Sequence, residues 1–183
     1  VAPVGANVIL SVTATGQAPL SYQWLLNSST ILSSTSSSLI LTNVQLGDSG
    51  NYSVIVSNSV GSSNSATAVV TVLTPPSISA QPQGQSTLAG SNILFSVTAA
   101  GSVPLSYQWR FNGIAISNAT DSSLILTNIQ GSDAGAYSVH VTNAVGSAVS
   151  SNASLTINSF PVIATQPLGQ SVIVGTNVTF NVG

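Results

Sequence analysis

Apolar residues alternate with small polar ones along most of this chain. In its central part the alternating runs fall at 92–99, 105–110, 123–127, 136–143 and 147–157. A period of two places one side of each run in a core and the other in water. Turn residues separate the runs: Gly101, Asn112-Gly113, Asn118 and Gly131-Ser132-Asp133. Nowhere does a helical period persist for about ten residues, the length at which a helix would declare itself. Short strands at this spacing predict an all-β fold, a two-sheet Greek-key sandwich.

The same pattern recurs at a fixed offset. Tyr22-Gln23-Trp24 returns as Tyr107-Gln108-Trp109, 85 residues later, and Asp48, Gly50 and Tyr52 return as Asp133, Gly135 and Tyr137. Asn58 and Gly61 return as Asn143 and Gly146; Pro76, Ile78, Gln81, Pro82 and Gly84 return as Pro161, Ile163, Gln166, Pro167 and Gly169. Roughly half of the aligned positions are identical and none is inserted or deleted, the mark of one structural unit repeated in tandem. Three segments are expected: 1–74, a unit lacking its first strand; 75–159, a complete unit; and 160–183, the first strands of a third. The register predicts a window on a longer array.

The repeated string Gly-x-x-Pro-Leu-x-Tyr-x-Trp, Leu-x-Leu-x-Asn, Asp-x-Gly-x-Tyr-x-Val and Asn-x-x-Gly resembles an I-set immunoglobulin domain, and the resemblance covers the whole chain. It implies a core tryptophan, Trp24 and Trp109, packed where a disulfide joins two facing strands. It also implies a tyrosine corner at Tyr52 and Tyr137, whose hydroxyls bond back to the turn before them. The sequence departs from the family at the disulfide: there is no cysteine. The two positions hold Val12 with Val54, and Val97 with Val139. A valine pair fills a similar volume but forgoes the roughly 2–4 kcal/mol that a crosslink contributes. Such cysteine-free repeats resemble those of large bacterial surface proteins, which implies an extracellular, cell-surface setting.

Charge changes the picture by its scarcity. Only 2% of residues are charged: one Arg, three Asp, no Lys and no Glu. Nucleic acid is not expected as a partner, since phosphate neutralisation needs several cations on one face. Mean hydropathy is +0.46, yet the longest apolar run, 66–73, is a Thr-interrupted strand pattern far short of the roughly 18 residues of a membrane helix. Membrane insertion is not expected either.

The candidate chemistry is thin. His140 stands alone, and its counterpart in the first unit is Ile55; Arg110 is expected on the same outer face, where the first unit has Leu25. Asp48 and Asp133 are expected to accept backbone N–H groups in their turns, and Asp121 to be solvated. Three Asp cannot supply the six or so oxygens of a calcium site. No catalytic set, cofactor fingerprint or metal site is expected. Sequons at Asn27, Asn51, Asn118, Asn152 and Asn177 are candidate glycosylation sites in a chain rich in Asn, Ser and Thr. At the joints, Pro75, Pro76 and Ile78, with Phe160, Pro161 and Ile163 one period on, are expected to be buried between successive units and to stiffen the array. The function expected is a structural repeat of a fibre, stalk or filament whose partners are neighbouring copies of itself. The alternative is an adhesin gripping a protein or glycan.

Overall fold

The computed structural model describes residues 1–181 and shows two β-sandwiches in tandem. In the second, the larger sheet runs in the order Gln85–Leu88, Ala153–Asn158, Gly135–Asn143, Ser106–Phe111, Ile114–Ala115, with Gly146–Val149 added on Gly135–Asn143. Facing it are two antiparallel pairs: Ile93–Ser96 on Ser123–Leu126, and Ser77–Ala80 on Thr98–Ala100. The run expected at 92–99 is thus interrupted at Val97, and each half takes a different partner. The run at 147–157 also divides, at 150–152, where the Ser150 hydroxyl accepts the Val139 N–H and donates to the Ser151 carbonyl.

The first sandwich repeats this plan. Ser21–Leu26 pairs with Gly50–Ser57 and with the short Ser29–Thr30, while Val8–Ser11 pairs with Ser38–Leu41. Ala2–Pro3 runs parallel to Val72–Leu73, as Gln85–Leu88 does to Ala153–Asn158. A two-residue turn joins Ser21–Leu26 to Ser29–Thr30, and both of its residues have positive φ: Asn27 at 49° and Ser28 at 68°. The second unit uses Asn112-Gly113 at this turn, the pairing that suits a mirror-image hairpin turn.

Each sandwich has its own core. Trp24, Leu39, Val44, Tyr52, Val54, Val70 and Val72 are buried in the first. The second buries Ile93, Phe95, Val97, Trp109, Leu124, Ile129, Tyr137, Val139, Val141, Ala153 and Leu155. From Phe160 to Asn181 the chain forms no strand, in contrast to the expected first strands of a third unit. The second unit shows why: its opening strands exist only as partners of Thr98–Ala100 and Ala153–Asn158, and counterparts one period on would fall at or beyond residue 183. Val182 and Gly183, which that expectation included, lie outside the described residues.

Candidate functional site

The most constrained chemistry sits in the two cores. Trp24 is 3% exposed and lies opposite Val54; Trp109 is 0% exposed and lies opposite Val139. Each indole N–H donates to a backbone carbonyl 2.9 Å away, Ser36 in one unit and Asp121 in the other. Val97 is 6% exposed and part of the second core, but Val12 is only half-buried at the edge of the first.

The corner tyrosines donate to the carbonyls of Asp48 and Asp133, both at 2.8 Å. The same Asp side chains accept the backbone N–H of Gln45 and Gln130 at 2.7 Å, closing the turn from both sides. Burial, reinforced by the nearby carboxylates, pushes the Tyr52 and Tyr137 phenols above their usual range. The folded state therefore favours the neutral phenol. That stabilisation is complete below about pH 10, the ordinary tyrosine value, and is lost as pH rises through the elevated one.

Several side chains that hold the loops escaped sequence reasoning. Asn7 and Asn92 accept the backbone N–H of Asn43 and Asn128. Gln23 donates to the carbonyls of Trp24 and, across the hairpin, Ile31; Gln108 donates likewise to Trp109 and Ile116, and also to Ala119. Asn58 and Asn143 brace the tip between the last strands. All are identical between the two units, so polar identity at the 85-residue offset was the signal available.

Arg110 and His140 lie on neighbouring strands, where Gln108 faces His140 and Arg110 faces Ser138. Arg110 reaches only the Gly113 carbonyl, at 3.4 Å, and its buried Nε has no partner. Asp121 is exposed, and no three of His, Cys, Asp and Glu gather among the described residues. All five sequon residues, Asn27, Asn51, Asn118, Asn152 and Asn177, are exposed. Asn27 uses its side-chain oxygen to accept the Asn51 N–H and packs over Gly50, where a Cβ would come within 2.9 Å of it.

The joint residues divide. Pro76 is buried and Pro75 half-buried, against Gly101 and Gly146 of the second unit. Ile78 corrects the expectation: it packs on the second unit's own core and not between units, because pairing with Ala99 turns it inward. One period on, Phe160 is 74% and Ile163 54% exposed, and Pro161 is exposed as well. The backbone at Thr74 is held firmly. Its carbonyl accepts the Asn143 side-chain N–H at 2.8 Å and the Ser102 N–H at 3.0 Å, and its N–H donates to the Ser102 hydroxyl at 2.9 Å.

Comparison with known proteins places this geometry. A family model described as an immunoglobulin domain matches residues 1–58 and again 75–143. The Xenopus laevis protein "Cell adhesion molecule-related/down-regulated by oncogenes" is 35% identical over 148 residues, covering 77% of this chain and 12% of that protein. Hemicentin-2 of Mus musculus is 37% identical over 135 residues, 70% of this chain and 3% of its own length. Peroxidasin homolog of Homo sapiens is 29% identical over 189 residues, 96% of this chain and 13% of its own. The chain thus spans 13% or less of these relatives. Among solved structures, an I-band fragment of titin superposes with a TM-score of 0.74 at 22% identity, covering 91% of this chain and 65% of that one. Drosophila OTK extracellular domains 3–5 give 0.70 at 23% identity, covering 86% and 58%. At such identities the likeness is one of fold. No helix among the described residues is long and apolar enough to cross a membrane.

Proposed function

The chain belongs to the immunoglobulin-domain family, and from that premise we propose that it is a structural segment of an extracellular fibre, stalk or surface filament, carrying load and spacing and no reaction. The observation that carries this reading is the joint. Thr74-Pro75-Pro76 is a short link with two prolines, and three hydrogen bonds tie its first residue to the next unit's loops. A linker so tethered has little freedom left to act as a hinge. The near-absence of charge supports the same role, since such a surface barely responds to pH or ionic strength and offers little repulsion to neighbours.

Small-angle scattering on arrays of two, four and six units tests it. A shaft lengthens linearly, by about 40 Å per unit, the span of roughly twelve strand residues at 3.3 Å each. Freely jointed beads would lengthen as the square root of unit number, and that outcome removes the shaft reading. The second reading is an adhesin, supported by the relative whose name carries cell adhesion. A glycan platform would draw on exposed aromatic rings; both Trp and both corner Tyr are buried here, and the exposed rings are those of Phe160 and Phe180, beyond the second sandwich. The relatives named are animal proteins, and the bacterial surface setting expected from the cysteine-free pattern finds no counterpart among them.

A further inference from the structure

The turn joining Ser106–Phe111 to Ile114–Ala115 is Asn112-Gly113, the one Asn-Gly pair in the sequence. Asn112 has φ of 48° and Gly113 of 83°, and both residues are exposed. A bracket holds this turn to the neighbouring strand. The Asn112 N–H donates to the Ala136 carbonyl at 2.8 Å, and its side-chain Oδ1 accepts the Ala136 N–H at 2.9 Å. Gly135 lies against the same side chain, where an added Cβ would come within 2.9 Å of the amide.

The first unit has the same bracket in the same place. Asn27 donates its N–H to the Asn51 carbonyl at 2.8 Å and accepts the Asn51 N–H on Oδ1 at 3.0 Å. The next residue differs: Ser28 in the first turn, Gly113 in the second. The molecule thus carries one amide in one frame twice, once with a side chain beside it and once without.

That neighbour matters because the backbone nitrogen following an asparagine can attack its side-chain carbonyl carbon. A C–N bond forms, a five-membered imide closes, and the side-chain nitrogen leaves as ammonia. Water then opens the ring at either carbonyl, giving aspartate or, with the main chain rerouted through Cγ, isoaspartate. A Cβ on the attacking residue crowds this approach; glycine has none and turns through angles closed to other residues. The Gly113 N–H has no acceptor among the described residues. The carbonyl it would attack is already polarised by the Ala136 N–H. Attack requires the bracket to release, and little resists that. Ile114–Ala115 is a two-residue strand at the end of its sheet, exposed at both positions. Such edge segments open locally at small cost.

We propose that Asn112 is a site of spontaneous covalent modification, converted through an imide with Gly113 to aspartate and isoaspartate, while Asn27 stays intact. The two products act differently. Aspartate keeps an acceptor for the Ala136 N–H and sets a negative charge two residues from Arg110, whose Nη1 reaches the Gly113 carbonyl at 3.4 Å. In a chain whose charged residues are one Arg and three Asp, one more carboxylate is a large change. Isoaspartate lengthens the main chain within a two-residue mirror-image turn, which has no room for it, and so detaches Ile114–Ala115. The conversion needs only this turn and water, and holds whether or not the array is a shaft.

Incubation of the folded 183-residue chain in warm, mildly alkaline buffer tests the proposal. Isoelectric focusing follows the charge, and peptic mapping locates it, since the acid of that digest suppresses the same reaction. The expected result is a more acidic species that accumulates with time and carries both products at Asn112. It should form about tenfold or more faster than any product at Asn27, the effect of the missing Cβ. Gly113→Ser should slow Asn112 to the Asn27 rate, and Asn112→Asp should show the acidic position from the start. A synthetic peptide of residues 106–118 supplies the rate of the open turn. An Asn112 that stays intact while that peptide converts overturns the proposal, because the closed bracket then protects it. Equal rates at Asn27 and Asn112 overturn it as well, and so does a conversion that Gly113→Ser leaves unslowed.

Discussion

The two units share a register without a gap, yet their cores are unequal, and the difference runs along two strands. Ile93, Phe95, Val97 and Val141 are buried in the second unit, whereas Val8, Leu10, Val12 and Val56 are only half-buried in the first. Two causes act together. In the second unit the segment from Ser77 to Gln85 covers the edge, and Phe95 stacks on Tyr137 at 4.9 Å and meets Trp109 at 6.2 Å. In the first, leucine replaces that phenylalanine, and a cavity of about 220 Å³ lies among Leu10, Trp24, Tyr52 and Ala66. Motif residues shared by the two units set the frame; an edge strand and one aromatic ring decide how tightly it fills.

The largest expected effect tests whether the units melt separately. Scanning calorimetry should show two transitions, the lower one from the first unit. Trp109→Ala should cost about 3–5 kcal/mol, enough to unfold a unit of ordinary stability, and should abolish the upper transition alone. Trp24→Ala should abolish the lower one, at a smaller cost because that core is already partly open. A single transition that both variants move equally would show the units to be one cooperative body.

Next in size is the cavity. Leu10→Phe copies the second unit's residue into the first and should raise the lower transition by about 1 kcal/mol, the usual yield of filling such a space. Phe95→Leu should lower the upper transition by a similar amount or more. A destabilising Leu10→Phe would show that the first core cannot accept a ring without the covering strand.

The smallest effect concerns the hairpin turn. Ser28 has φ of 68° where the second unit has Gly113 at 83°. A side chain in this left-handed region costs about 1 kcal/mol, so Ser28→Gly should stabilise the first unit by a little less than that. The reverse change, Gly113→Ser, should weaken the second unit by a similar amount in chemical denaturation.

The legible part of this protein was what repeats. Alternation located the strands around Trp109 and Tyr137 because a half-buried strand must alternate. The Trp, corner Tyr and turn Asp positions were legible because each recurred at the same offset. The short strands Ser77–Ala80, Gln85–Leu88 and Ile114–Ala115 stood outside the alternating runs: they are stretches of two to four residues at sheet edges, too brief for a period to show. The polar braces, such as Asn92 on Asn128, looked like ordinary loop residues because their partner lies 36 positions away.

The order of residues alone settled the all-β class, the 85-residue period, the cysteine-free cores and the poverty of charge, since these follow from composition and spacing. The fate of identical residues in different neighbourhoods lay beyond it. Ile78 and Ile163 occupy the same place in the repeat, yet one packs on a core and the other meets water. Val12 and Val97 likewise differ in burial under the same local sequence, Ser-Val-Thr-Ala. Burial is a property of what lies across the gap, and that neighbour is brought by pairing between segments tens of residues apart. No local pattern can encode whether the partner strand has arrived.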